Sequence, residues 1–152
     1  MKKSSIVVFV IIFALFYVSS FLFPVDREWY DALNKPSWTP SGQTIGIIWA
    51  VLFFLIALSA TLIYNQYGFK PIGFWILFAI NYVFNQAFGY FQFTQKDLFA
   101  ASIDALLIAV TTLLLVIYAG RLRKVSGWLL IPYLLWSSFA TYLSWTIYSM
   151  NA

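Results

Sequence analysis

Two tryptophans, three amides and one carboxylate are the side chains whose type and placement could do chemistry in this otherwise apolar chain: Trp49, Trp136, Asn81, Asn85, Gln86 and Asp104. The chain holds seven tryptophans but no histidine and no cysteine. The residues that most often ligate metals or form nucleophile–base pairs near neutral pH are therefore missing, and no metal site is expected. What remains is an interior of rings and amides, suited to holding a flat, apolar molecule by stacking and a few hydrogen bonds.

Each candidate has a plain structural reading beside the chemical one. Trp136 falls near the middle of an apolar run, where its indole N–H has no water and needs a partner or a cavity. Trp49 sits about one turn into another run. Both could equally be core. Asn81 and Asn85 are four residues apart and share a helix face that Phe88 and Gln92 continue. Amides so placed either join helices or line a polar spot in a cavity. Asp104 is the one acid well inside an apolar run; an intramembrane carboxylate is a functional candidate, and a protonated structural residue is the alternative. Pro132, Trp136, Ala140 and Ser144 recur every four residues. Pro132 frees a carbonyl and Ala140 leaves room beside the indole, as either a ring-binding site or tight helix packing requires.

Five apolar runs must position these groups: residues 6–23, 45–64, 72–93, 98–119 and 128–150. Each approaches the roughly 20 residues that carry a helix across about 30 Å of hydrocarbon. The composition agrees, at 62% hydrophobic and only 9% charged. Strict alternation, which barrel strands need, is absent. The expected fold is all-α: one domain over residues 1–152, an integral membrane bundle of five transmembrane helices. Lys2 and Lys3 before the first run resemble a secretory leader, with a possible cut after Ser20. The run continues through Phe23 to spanning length, so retention as the first helix is expected.

Lys2, Lys3, Lys70, Arg121, Arg123 and Lys124 fall in connections on one side with no acid. Arg27, Lys35 and Lys96 fall on the other, beside Asp26, Glu28, Asp31 and Asp97. This bias predicts a cytoplasmic N-terminus and an outer C-terminus, and makes the net charge of +4 a topology signal and no sign of nucleic-acid binding. Short connections after the second, third and fourth runs predict antiparallel neighbours. The first connection, residues 24–44, is long. With Trp29, Tyr30, Leu33 and Trp38 stiffened by Pro36 and Pro40, it reads as a folded lid on the outer face. Trp75 and Trp128 are expected as interface anchors, with Trp145 near the opposite surface. Alanines 101, 105 and 109 form a small-residue ridge for close helix approach.

The lid pattern Trp29-Tyr30-x-x-Leu33-x-Lys35-Pro36-x-Trp38-x-Pro40 resembles the TspO/MBR family of tryptophan-rich sensory proteins and peripheral benzodiazepine receptors. Trp49, Asn81, Asn85 and the run Pro132-Tyr133-Leu134-x-Trp136-x-x-Phe139-Ala140-x-Tyr142-Leu143 continue the resemblance over essentially the whole chain. It implies a five-helix bundle, often a homodimer, with a cavity in the outer half beneath the lid. It also implies binding of porphyrins such as protoporphyrin IX, or of benzodiazepine-like and isoquinoline carboxamide molecules, with no cofactor required. Light-dependent porphyrin degradation, with pocket tryptophans implicated, is reported for some members. Carried over by position, Trp49 and Trp136 match those tryptophans, and Tyr30, Pro40, Phe53, Asn85, Phe88 and Ala140 match cavity positions. The chain departs from the pattern at Thr39-Pro40-Ser41 and at Ser144-Trp145. Tyr148 lacks the following basic residue of the mammalian cholesterol motif.

Three functions follow as expectations: a porphyrin-binding membrane sensor or carrier, a photochemical porphyrin-degrading enzyme, and a small-molecule, lipid or proton-coupled translocator. The last is disfavoured by the lack of visible internal repeats or interrupted spans. Without histidine or cysteine, haem held by its usual strong axial ligands is disfavoured as well.

Overall fold

A computed structural model describes residues 2–152. Every regular element in it is helical: α1 (Lys3–Leu15), α2 (Val18–Leu22), α3 (Arg27–Ala32), α4 (Gly42–Tyr67), α5 (Ile72–Gly89) continued by a π-helical turn (Tyr90–Thr94), α6 (Leu98–Leu122) and α7 (Lys124–Asn151). Helices are what lipid demands, because each backbone N–H and C=O must be satisfied within its own segment. Lys3–Leu22, Gly42–Tyr67, Ile72–Thr94 and Leu98–Leu122 are long and apolar enough to cross a membrane. The 28-residue α7 is richer in Ser, Thr and Tyr but runs antiparallel to α6 along its full length. Gly127 meets Gly120 at one end, and Trp145 and Tyr148 pack on Phe99 at the other.

The ends carry local signals. Asp26, Ser41 and Asp97 cap α3, α4 and α6 by accepting from the backbone N–H of Trp29, Thr44 and Ala100. Gly68, at φ 62°, ends α4 in a conformation that only glycine adopts without strain.

The spans close into a ring. α4 is flanked by α1 and α7, α7 by α6, α6 by α5, and α5 returns to α1 and α2. This corrects one expectation: α4 and α5, although joined by a short link, are not close neighbours. The turn at Gly68 and Pro71 carries the chain away from α4, and the apolar faces of α4 are taken by α1 and α7.

The first span also differs from an unbroken helix. At Phe16 and Tyr17 the chain tightens, with Tyr17 and Ser20 donating three residues back, to Ala14 and Tyr17. The groups released by this break find partners on α5. Tyr82 Oη donates to the Leu15 carbonyl at 2.9 Å and Gln86 Nε2 to the Phe16 carbonyl at 3.1 Å. The Ser19 N–H donates to Gln86 Oε1 at 2.8 Å. An interrupted span is therefore present, without a proline or glycine to mark it in the sequence.

The long first connection is folded, as expected, and is tied down at three points. Lys96 pairs with Asp26 at 3.0 Å. Asn34 and Asn151 exchange two hydrogen bonds, N–H to Oδ1 at 3.0 Å and Nδ2 to carbonyl at 2.8 Å. Trp38 stacks on Tyr142 with centroids 5.4 Å apart and meets Phe139 edge-on. Lys35 donates to the carbonyls of Tyr30, Asp31 and Leu33, neutralising the negative end of α3.

Candidate functional site

The candidate site is built on the facing sides of α4 and α7. Trp49 on α4 and Trp136 on α7 meet edge to face, centroids 6.3 Å apart and planes at 86°. Phe53, one turn along α4, lies 5.6 Å from Trp49, and Phe139 lies 5.4 Å from Trp136. Trp38 of the lid reaches Phe139, so the aromatic wall runs without interruption from mid-bundle to the lid. Pro132 precedes Trp136 by one turn and cannot donate to the helix ladder. Between α4 and α7 the bilayer side carries an apolar groove of about 440 Å³, lined by Ile47, Ile48, Val51 and Leu52 on one helix and Pro132, Leu135 and Trp136 on the other.

Behind the wall stands a chain of hydrogen bonds. Asn81 Nδ2 donates to Thr111 Oγ1 at 2.8 Å and Thr112 Oγ1 at 3.0 Å, while Tyr133 Oη donates to Asn81 Oδ1 at 2.9 Å. Asn85 Nδ2 donates to Tyr133 Oη at 3.1 Å and Gln86 Nε2 to Asn85 Oδ1 at 2.9 Å. The network joins α6, α7, α5 and the break in the first span. Tyr133 in turn sits edge-on to Trp49 at 6.3 Å, coupling the amides to the aromatic wall.

Among the described residues, three buried side-chain atoms have no protein partner: Trp136 Nε1, Asp104 Oδ2 and Thr61 Oγ1. An unpaired buried polar atom costs about 1–3 kcal/mol. For Trp136 the cost falls where the rings leave an indole donor facing the interior. Asp104 is 3% exposed, on the inner side of α6.

Of the residues singled out in the sequence, the structure brings Trp49, Phe53 and Trp136 into one cluster and links Asn85 to it through Tyr133. Phe88 packs against the same core, and Ala140 lies half-buried one turn beyond Trp136. Tyr30 and Pro40 stay half-buried in the lid; the Tyr30 ring meets Phe93 at 6.3 Å and not the tryptophans. Burial, and then the charge of Asp31, push the Tyr30 phenol above its ordinary range. The Trp29 N–H, and then Lys96, hold Asp26 below the usual carboxylate range. Trp75 donates its indole N–H to the Gly68 carbonyl at 3.1 Å, tying the α4–α5 link, whereas Trp128 is 73% exposed as an interface anchor would be. Sequence reasoning gave Tyr133 and Phe139 no role of their own; three- and four-residue spacing around Trp136 was the available signal.

The model of the TspO/MBR family matches residues 6–150. The chain belongs to the TspO/MBR family. Among its relatives is the tryptophan-rich protein TspO of Bacillus cereus, 71% identical over 151 residues and covering 99% of both chains. An uncharacterized membrane protein of Bacillus subtilis, YtaB, is 57% identical over 154 residues, again with 99% of each covered. The human translocator protein is 25% identical over 142 residues, covering 90% of this chain and 82% of the relative. This TspO/MBR protein is accordingly an all-helical membrane protein, and its aromatic wall and amide network are how this chain builds the family's bundle.

Proposed function

We propose that this protein binds free-base tetrapyrroles, protoporphyrin IX among them, as a membrane sensor or carrier, with Trp49, Phe53, Trp136 and Ala140 forming the ring-binding wall. The observation that carries this reading is the Trp49–Trp136 pair, set edge to face in an aromatic cluster beside the apolar groove, while the Trp136 N–H stays buried without a protein acceptor. A porphyrin offers a broad π face for the first and carboxylates or ring nitrogens for the second. Asn85 acts behind the wall by holding Tyr133, Tyr30 and Pro40 form the underside of the lid, and Phe88 closes the α5 side. Isoquinoline carboxamide and benzodiazepine-like molecules fit the same description of flat rings with one or two acceptors. The protein works as a homodimer with its basic face toward the cytoplasm and the lid outside.

Light-dependent degradation is the chemical extension. One electron passes from an indole to the photoexcited porphyrin, leaving an indole radical cation and a porphyrin radical anion; the anion adds dioxygen, the adduct returns its electron to the indole cation, and the neutral porphyrin peroxide so formed opens the ring. Titration with protoporphyrin IX in the dark, then under light, separates binding from turnover in one sample. Saturable binding is expected in the dark, and slower bleaching under light in a Trp49→Phe/Trp136→Phe variant. Undiminished bleaching in that variant removes the tryptophans as electron donors, and haem binding with a histidine-like ligated spectrum and no free-base binding rejects the assignment.

A second reading, proton-coupled translocation, is favoured by one specific pair of features: the unpaired carboxylate oxygen of Asp104 and the interrupted first span. Flux into sealed vesicles that is lost in Asp104→Asn would support it.

A further inference from the structure

The end of the bundle opposite the lid carries an organisation that the aromatic wall does not use. Six of the nine basic residues gather there: Lys2 and Lys3 before or at the start of α1, Lys70 in the α4–α5 link, and Arg121, Arg123 and Lys124 at the α6–α7 corner. All five acids of the chain lie elsewhere: Asp26, Glu28, Asp31 and Asp97 on the lid face and Asp104 inside α6. Among the described residues the one ion pair is Lys96 with Asp26, so none of the six bases is neutralised by the protein.

These bases stand on a rigid platform. Asn65, near the end of α4, accepts from the Lys2 N–H at 3.0 Å and from Ser5 Oγ at 2.9 Å, fixing the start of α1. Tyr67 Oη donates to the Leu122 carbonyl at 2.8 Å, and Ser59 and Ser126 exchange hydroxyl-to-carbonyl bonds at 2.8 and 3.0 Å, fixing the α6–α7 corner to α4. Large apolar side chains project beside the charges: Phe69 and Ile72 flank Lys70 at 62% and 63% exposure, and Val125 and Trp128 follow Lys124 at 52% and 73%. Charge with an apolar skirt immediately beneath it matches a molecule with an anionic head and acyl chains.

We propose that this face is a docking surface for anionic phospholipid headgroups, with phosphates on the Lys70 and Arg121–Lys124 cations and acyl chains along Phe69, Ile72, Val125 and Trp128. Clusters of this size next to spanning helices attract anionic lipid at the membrane surface. Free phosphate would use the charges alone, and an acidic protein would leave the apolar skirt without a role. The inference stands independently of porphyrin binding.

The test places the full chain in mixed phosphatidylglycerol/phosphatidylcholine nanodiscs and measures which lipid it retains on release, by native mass spectrometry. The wild type is expected to enrich phosphatidylglycerol by at least about threefold over the bulk mixture, and 0.5 M salt to reduce this sharply, as screening requires. In Lys70→Gln/Arg121→Gln/Arg123→Gln/Lys124→Gln the ratio should fall to that of the bulk, while Arg27→Gln on the lid face leaves it unchanged. A charge-keeping Arg121→Lys/Arg123→Lys variant should retain the enrichment, which separates lost charge from lost fold. Equal retention of both lipids by the wild type, or undiminished enrichment in the quadruple variant, overturns the proposal. Selective displacement by inorganic phosphate beyond chloride of equal ionic strength moves the site to a free anion and overturns it equally.

Discussion

The two walls of α7 are built on opposite plans. Toward α6 and α5 it is close-packed and hydrogen-bonded: Gly127 lies against Gly120, and Tyr133 is held by Asn81 and Asn85. Toward α4, beyond the Ser59–Ser126 bonds in its first turn, it presents rings at an angle, an apolar groove, and an indole N–H with no acceptor. A wall whose hydrogen bonds run from helix to helix specifies one arrangement and has little to offer a ligand. A wall with flat surfaces and a spare donor is less stabilising to the fold and better suited to a guest. Structure and binding are thus divided between two faces of one helix, with Tyr133 touching both.

Several substitutions sharpen or break this contrast. The largest effect on stability is expected at Gly127→Ala. A Cβ there would stand 2.7 Å from the Gly120 Cα and 3.0 Å from its nitrogen, backbone atoms that cannot swing away. Overpacking of this kind costs about 1–3 kcal/mol, read as a lowered melting temperature in detergent. A tolerated alanine would show that the α6–α7 wall is looser than drawn.

Asn81→Ala comes next. It deprives Tyr133 Oη of its acceptor and Thr111 and Thr112 of a donor, and hydrogen bonds in membrane bundles average about 0.6 kcal/mol each, so a loss of about 1–2 kcal/mol is expected. Gln86→Ala should be milder globally but local in signature: the N–H of Ser19 loses its acceptor and should exchange faster with solvent deuterium. Unchanged exchange there would mean that the break at Phe16 is held by Tyr82 alone.

The smallest effect belongs to the lid. Asp26 has its pKa lowered from 3.8 by the Trp29 N–H and then Lys96, so its tether is fully present above 3.8 and is lost as the pH falls through the depressed value. Lid mobility, followed by a spin label at Ser37, should be flat through neutral pH and rise only in strong acid. Asp26→Asn should show the acid mobility at every pH.

The spans were legible because about 20 consecutive apolar residues have few alternatives in lipid, and the lid because its aromatic and proline residues left disorder improbable. The membership of Trp49, Phe53 and Trp136 in one cluster was legible as a family pattern. Other features were not, for physical reasons. The break after Leu15 has no proline or glycine; it exists because Gln86 and Tyr82, about 70 residues later, satisfy the groups it frees. The Gly120–Gly127 contact depends on the crossing register of α6 and α7, which single residues do not announce. The separation of α4 from α5 follows from competition among five apolar faces, which a short connection does not reveal. Lys96, at φ 53°, holds a left-handed turn usually given to glycine or asparagine while its ammonium secures Asp26.

The most direct test of the central claim is the dark affinity for protoporphyrin IX, read from the porphyrin absorption band, in the wild type and in Trp49→Phe/Trp136→Phe matched for thermal stability. Saturable binding in the wild type and at least about tenfold weaker binding in the double variant, a difference of about 1.4 kcal/mol, is the expected result. Equal affinity in two equally stable proteins would contradict the assignment of the α4–α7 wall as the ligand site.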